Sequence, residues 1–198
     1  MKLSKKFYVG SMVAGPVIGI GFLMIGFVFG LIGAGVSQSG PRGADASAPF
    51  AVGMAGMWFF ALLAIVGGSV YSVVVYYVLL YKAWSSIQDG HARTTPAQAV
   101  GFMFIPFFNV YWMFQAIWGF AVDYNKYIER HRLAVSRLPD GLFLTANILH
   151  FAMIIPFVNI AVAFVLLGIH LAVVAKMCDG VNALATAPRA AVAPAPAT

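Results

Sequence analysis

Long apolar runs separated by short polar clusters dominate this chain, and the runs outlast anything a water-soluble core requires. The first extends over residues 9–36 and the second over 50–81. Each exceeds the roughly 20 apolar residues that a helix needs to cross the hydrocarbon layer. Both are apolar on every side, as a membrane helix is. Two further apolar stretches, 97–125 and 142–175, are interrupted by Pro and Asn. The segment from Ser37 to Pro49, with Arg42 and Asp45, is rich in Ser, Gly and Pro and predicts an outward-facing loop. The second helix is expected to continue past the membrane through Trp84 to Gln88, where Asp89-Gly90 closes it with a left-handed glycine. Residues 1–184 read as one polytopic membrane domain. The Ala- and Pro-rich tail, 185–198, has little to pack and reads as disordered.

The two interrupted stretches share a motif. Residues 103–109 are Met-Phe-Ile-Pro-Phe-Phe-Asn and residues 153–159 are Met-Ile-Ile-Pro-Phe-Val-Asn. Five of the seven positions are identical, and an Asp-Gly pair precedes each copy, at Asp89-Gly90 and Asp140-Gly141. This reads as an internal repeat, a device that often frames an interface in membrane proteins. Pro106 and Pro156 break their helices by removing a backbone donor and crowding the preceding turn. Asn109 and Asn159 are placed to satisfy the freed backbone groups.

Charge decides between a kinked single span and a hairpin. Eleven of the twelve Lys and Arg residues, all but Arg42, can be placed on one side of a membrane. Basic loops stay cytoplasmic. A single kinked span would export Lys126, Arg130, Arg132 and Arg137, so each broken stretch is expected to enter from the cytoplasm, turn and return. Ala97 to Ile105 would rise only about 14 Å as a helix, half the hydrocarbon thickness, whereas Leu142 to Ile155 would rise about 21 Å. The expected fold is therefore all-α: two long transmembrane helices, then two Pro/Asn-broken helical hairpins, with both termini cytoplasmic.

Composition agrees. The chain has 198 residues, 62% hydrophobic and 9% charged. A soluble domain carries about 25% charged residues. The net charge of +6 sits on the flanks of the apolar runs, where Lys126, Arg130, Arg132 and Arg137 form a basic cluster toward anionic lipid. No basic segment is long enough to make a nucleic-acid face. The lone Cys178 excludes an internal disulfide. Lys2, Lys5 and Lys6 before the first run resemble a signal peptide, but that run exceeds the about 7–15 residues of a signal core, and a retained helix is expected.

Candidate chemistry is sparse. Ser11, Gly15, Gly19, Gly26, Gly30 and Ala34 line one face of the first span and allow close helix approach. That face serves either packing against the second span or self-association. His150 and His170 are intramembrane and could ligate haem, but a hairpin turn at 156–159 leaves them about five residues, or 7 Å, out of register. Hydrogen bonding to neighbouring helices is the simpler reading. Asn109, Asn147, Asn159 and Gln115 are the other deep polar groups, fit either to cap the breaks or to line a path. Asp123 and Asp179 read as interfacial. Scattered methionines read as packing. Trp58 and Phe59 on one side, and Tyr81, Trp84, Tyr124 and Tyr127 on the other, read as interfacial belts. No Asp, Glu, Lys or Arg falls in mid-span, and no catalytic, phosphate-binding or metal-ligand motif is present, so no cofactor is expected.

The stretch from Thr95 to Trp112, continuing to Asp123-Tyr124-Asn125, carries Pro-x-x-Ala-Val-Gly followed by Ile-Pro-Phe-x-Asn-x-Tyr-Trp. It resembles a group of bacterial multi-pass membrane proteins of unknown function, over residues 71–135. The second copy continues Ile160-Ala161 and lacks the Tyr-Trp. The resemblance implies the bacterial inner membrane and no particular activity. The functional expectation is a non-catalytic accessory or scaffold subunit of a membrane assembly, with lipid and other membrane subunits or copies of itself as partners. The alternatives are a small channel or carrier lined by the hairpins, and a haem-binding redox subunit.

Overall fold

A computed structural model describes residues 2–39, 47–153, 155 and 159–187, and every element among them is helical. Helix α1 is Lys5–Ser39, α2 is Ser47–Ser85 and α3 is Pro96–Gly101. A 3-10 turn, Phe102–Phe104, follows α3. Helices α4 (Phe108–Met113) and α5 (Gly119–Arg130) join through one π-turn, Phe114–Trp118. Helices α6 (Asp140–Ala152) and α7 (Asn159–Thr186) complete the order. Three helices are long and apolar enough to cross a membrane, over Lys5–Ile32, Ala55–Ser85 and Ala161–Thr186. The chain divides into two compact units, Gly10–Val75 and Met1–Val9 with Tyr76–Thr198. The expected loop lies mostly in 40–46, outside the described residues, as does Pro156. Helix α7 runs through Thr186, so residues 185 and 186 of the expected tail are helical; residues 188–198 also lie outside.

In the first unit, α1 meets α2 at a close approach. A Cβ on Gly19 would collide with the Ile65 side chain and come within 2.9 Å of its Cα. Gly26 has only ordinary contact, with Met57 at 3.7 Å. The Ser72 hydroxyl donates to the Ser11 carbonyl at 2.8 Å, a second tie between the helices. Gly30 is half-buried, and the surroundings of Gly15 lie outside the described residues. The small-residue face is thus used at Gly19 within the chain. We expect Gly19→Leu to lower stability in detergent by about 1–3 kcal/mol through overpacking, and Gly26→Ala to change it by less than about 0.5 kcal/mol. Equal melting of both variants would remove the contact at Gly19.

The second unit contains the first broken stretch, which doubles back. Thr95 accepts from the Gln98 N–H while the Gln98 side chain accepts from the Thr95 N–H, a capping box that starts α3 with Pro96 in its first turn. The returning α4 lies beside α3: Trp112 Nε1 donates to the Ala99 carbonyl at 3.2 Å, and the Phe102 and Trp112 rings are 4.8 Å apart. From Pro96 to Phe104 the leg rises about 15 Å, half a hydrocarbon layer. Phe107, within the Pro106–Asn109 segment, makes the reversal at φ 62° and ψ −39°, with Phe108 N–H donating to the Pro106 carbonyl at 2.7 Å. That is a γ-turn, which a non-glycine residue adopts only under strain. Asn109 contributes its backbone N–H to the Ile105 carbonyl at 3.0 Å.

The second broken stretch is built differently. Helices α6 and α7 pack along each other, but α6 has 13 residues and α7 has 28, lengths of about 20 and 42 Å. The first hairpin has a short leg, whereas the second contains a helix long and apolar enough to cross a membrane. The two Asp-Gly pairs also differ. Gly90, at φ 84°, follows α2, whereas Asp140 and Gly141 open α6, with Asp140 Oδ1 accepting the Gly141 N–H.

Candidate functional site

One end of the second unit gathers its ion pairs, and two asparagines assemble it. Asn182 near the end of α7 clasps Leu3: the Leu3 N–H donates to Oδ1 at 2.6 Å and Nδ2 donates to the Leu3 carbonyl at 2.9 Å. Asn125 on α5 holds Leu138 the same way, receiving its N–H at 2.8 Å and donating to its carbonyl at 2.9 Å. Each side-chain amide thus mimics a peptide group. Tyr124 Oη donates to the Gly180 carbonyl at 3.2 Å, and Lys5 pairs with Asp179 at 2.7 Å. The N-terminal lysines and the arginine-rich loop 131–139 therefore share one end of this unit.

The most buried charge there is Asp123. Its side chain is 7% exposed and pairs with the Arg93 guanidinium at 2.8 Å. Its other oxygen accepts the Arg93 backbone N–H at 2.9 Å. Arg93 also donates to Gln115 at 3.2 Å. It lies across Gly119, where a Cβ would come within 2.9 Å of the guanidinium. Asp123 is an internal tether between the 89–95 loop and α5. A lone acid closing the apolar run 116–122 was the available signal, because a buried carboxylate requires a partner.

Asp89 holds the next pair. Arg130 donates to it twice, at 3.1 and 2.8 Å, and His91 and His131 stand within 3.8 and 3.9 Å. Partial burial alone would raise this carboxyl. Hydrogen bonds from Arg130 and the His91 backbone N–H, with the nearby positive charge, outweigh burial and hold it below the usual carboxylate range. Arg137 pairs with Glu129. The four residues expected as one lipid-facing basic cluster therefore divide. Arg130 and Arg137 are committed to acids, while Lys126 and Arg132 are exposed and form no ion pair among the described residues.

Deeper polar groups close the π-turn. Asn147, 2% exposed, donates to the Met113 carbonyl at 3.3 Å. Trp84 Nε1 donates to the Ala116 carbonyl at 2.9 Å. A π-turn shifts the backbone ladder by one residue, and α6 and α2 each supply a side-chain donor there. Trp84 and Tyr124 are fully buried, so they are core residues and not belt residues as expected; Tyr81, at 49% exposure, remains outward. Asn109 sits exposed on the first hairpin, and the side chain of Asn159 lies outside the described residues.

His150 and His170 do meet, contrary to the expected offset: their ring centroids are 6.2 Å apart. The reason is the unequal hairpin. His150 lies two residues before the end of α6, but His170 lies eleven residues into α7, so α7 outreaches α6 by about 13 Å. Among the described residues no three His, Cys, Asp or Glu side chains converge as a metal centre. No known family model, curated protein or solved structure matches this chain.

Proposed function

We propose that this chain is a non-catalytic polytopic membrane protein that serves as an accessory or scaffold subunit of a membrane assembly, built with other subunits or with copies of itself. One observation carries the reading. Only 12% and 11% of the most apolar stretches of α1 and α2 are buried within the chain. Lipid or other helices must cover the rest, and side chains such as Phe27, Phe29, Phe59 and Phe60 offer large apolar area for helix packing. Four acids of the charged end, Asp89, Asp123, Glu129 and Asp179, meanwhile sit in ion pairs.

The resemblance of residues 95–125 to bacterial inner-membrane proteins supports the bacterial cytoplasmic membrane as its location. The positive-inside bias supports a cytosolic charged end, with both termini there. The shared Met-x-Ile-Pro-Phe-x-Asn segments support an ancestral repeat whose two hairpins have diverged in depth. The protein extracted in mild detergent or native lipid particles should run, by light scattering, as a defined oligomer or with a stoichiometric partner. A strictly monomeric particle would overturn the reading.

A further inference from the structure

Three polar side chains meet in the apolar part of the second unit, and none of them has a hydrogen-bond partner among the described residues. Tyr76 on α2 is 7% exposed, and its hydroxyl is buried without a partner. Its ring lies 5.4 Å from the His170 ring, and His170 lies 6.2 Å from His150. Neither imidazole makes a hydrogen bond to a described residue. A buried hydroxyl left unsatisfied costs on the order of 1–3 kcal/mol. Beside it His170 is half-buried and His150 is exposed, and on a face covered by lipid neither imidazole finds water; three adjacent polar groups so placed point to something that binds all of them.

We propose that His150, His170 and Tyr76 form an intramembrane site for a divalent transition-metal ion of the copper and zinc class. The donor set is two imidazole nitrogens and one phenolic oxygen, which suits these ions and not Mg²⁺ or Ca²⁺. The spacing fits. With nitrogen about 2.0 Å from the metal, each ring centre stands about 3.2 Å away, so two ligating imidazoles lie about 5.2 Å apart at a tetrahedral angle and about 6.4 Å apart at a linear one; the observed 6.2 Å suits a wide-angle pair. Charge is supplied locally. Asp179, the acid nearest to His170 along α7, is nine residues on, a rise of about 14 Å. The phenol therefore furnishes the anion: the metal–oxygen bond forms as the O–H bond breaks, and the proton leaves to solvent. The site is independent of the oligomeric reading above, since all three ligands come from one chain.

The test uses full-length, chelator-stripped protein in lipid nanodiscs, titrated with Cu²⁺. One equivalent is expected, with paramagnetic-resonance coupling to two imidazole nitrogens and a phenolate-to-copper absorption band. His150→Gln and His170→Gln should each weaken binding on the order of 100-fold. Tyr76→Phe should abolish the absorption band. His131→Ala, at the charged end, should leave all three signals intact and serves as the surface control. Circular dichroism checks that each variant is folded. Absence of stoichiometric binding by the folded parent would overturn the proposal, as would copper retained in full by His170→Gln or an unchanged spectrum in Tyr76→Phe. Haem that co-purifies and is lost with His170 would overturn the bare-ion site in favour of a macrocycle.

Discussion

Replacing Asp123 by alanine is expected to destabilise the protein by about 3 kcal/mol, more than any other single charge change. Breaking a buried pair costs about 3–5 kcal/mol, because the surviving charge is left uncompensated. The lower end applies, since Arg93 retains 29% exposure and can turn toward water. Two losses add here: the guanidinium loses its anion, and the Arg93 backbone N–H loses its acceptor. Asp123→Asn keeps neutral acceptor capacity and should cost about half as much. A double-mutant cycle with Arg93→Ala should return about 1–3 kcal/mol of coupling. Unfolding in mixed micelles, followed by fluorescence of Trp84 packed 5.8 Å from Phe120, reads all three. A change below about 0.5 kcal/mol in Asp123→Ala, the level of a surface substitution, would mean that the tether is not formed.

Apolar length alone locates α1 and α2, because a run such as 9–36 has no polar face with which to end sooner in water or lipid. The helices in fact reach Lys5 and Ser39, since terminal turns tolerate the polar residues that the apolar criterion excludes. The doubling back of the first broken stretch is legible from charge, because exporting four basic residues would violate the bias. Which residue makes that turn is not legible. Pro and Asn are the usual turn formers, yet Phe107 takes the positive φ at 92% exposure, an arrangement that apolar surroundings can hold and propensity does not anticipate.

The candidate sites fared less evenly, for reasons of register. The His150–His170 separation depends on how far α7 overshoots α6, and no local pattern encodes the length of the overshoot. Trp84 and Tyr124 read as belt residues because amphipathic rings favour the interface. Their polar atoms instead find buried carbonyls, at Ala116 and Gly180. The division of the basic cluster was similarly hidden. Arg130 is matched by Asp89, 41 positions away, a partnership that exists only once α2 and α5 are brought together.

The second large effect should come from Asn125→Ala. Its amide makes both hydrogen bonds of a peptide group to Leu138, which is 5% exposed. Each backbone group left unpaired costs about 1–3 kcal/mol when water cannot reach it. The adjoining loop 131–137 is largely exposed and can admit some water, so about 2 kcal/mol is expected in total. Asn125→Asp is no rescue: it still accepts the Leu138 N–H but presents a second acceptor to the Leu138 carbonyl. The loss is local, so opening of the loop should rise about 30-fold, and trypsin cleavage after Arg132 and Arg137 should rise with it wherever opening is fast relative to cutting. The cleavage belongs in inverted membrane vesicles, where the cytosolic face is outside. Unchanged cleavage in Asn125→Ala would refute the clasp. Cleavage in sealed right-side-out cells would leave the clasp standing and refute the cytosolic placement of the charged end, so one protease experiment separates the packing claim from the topological one.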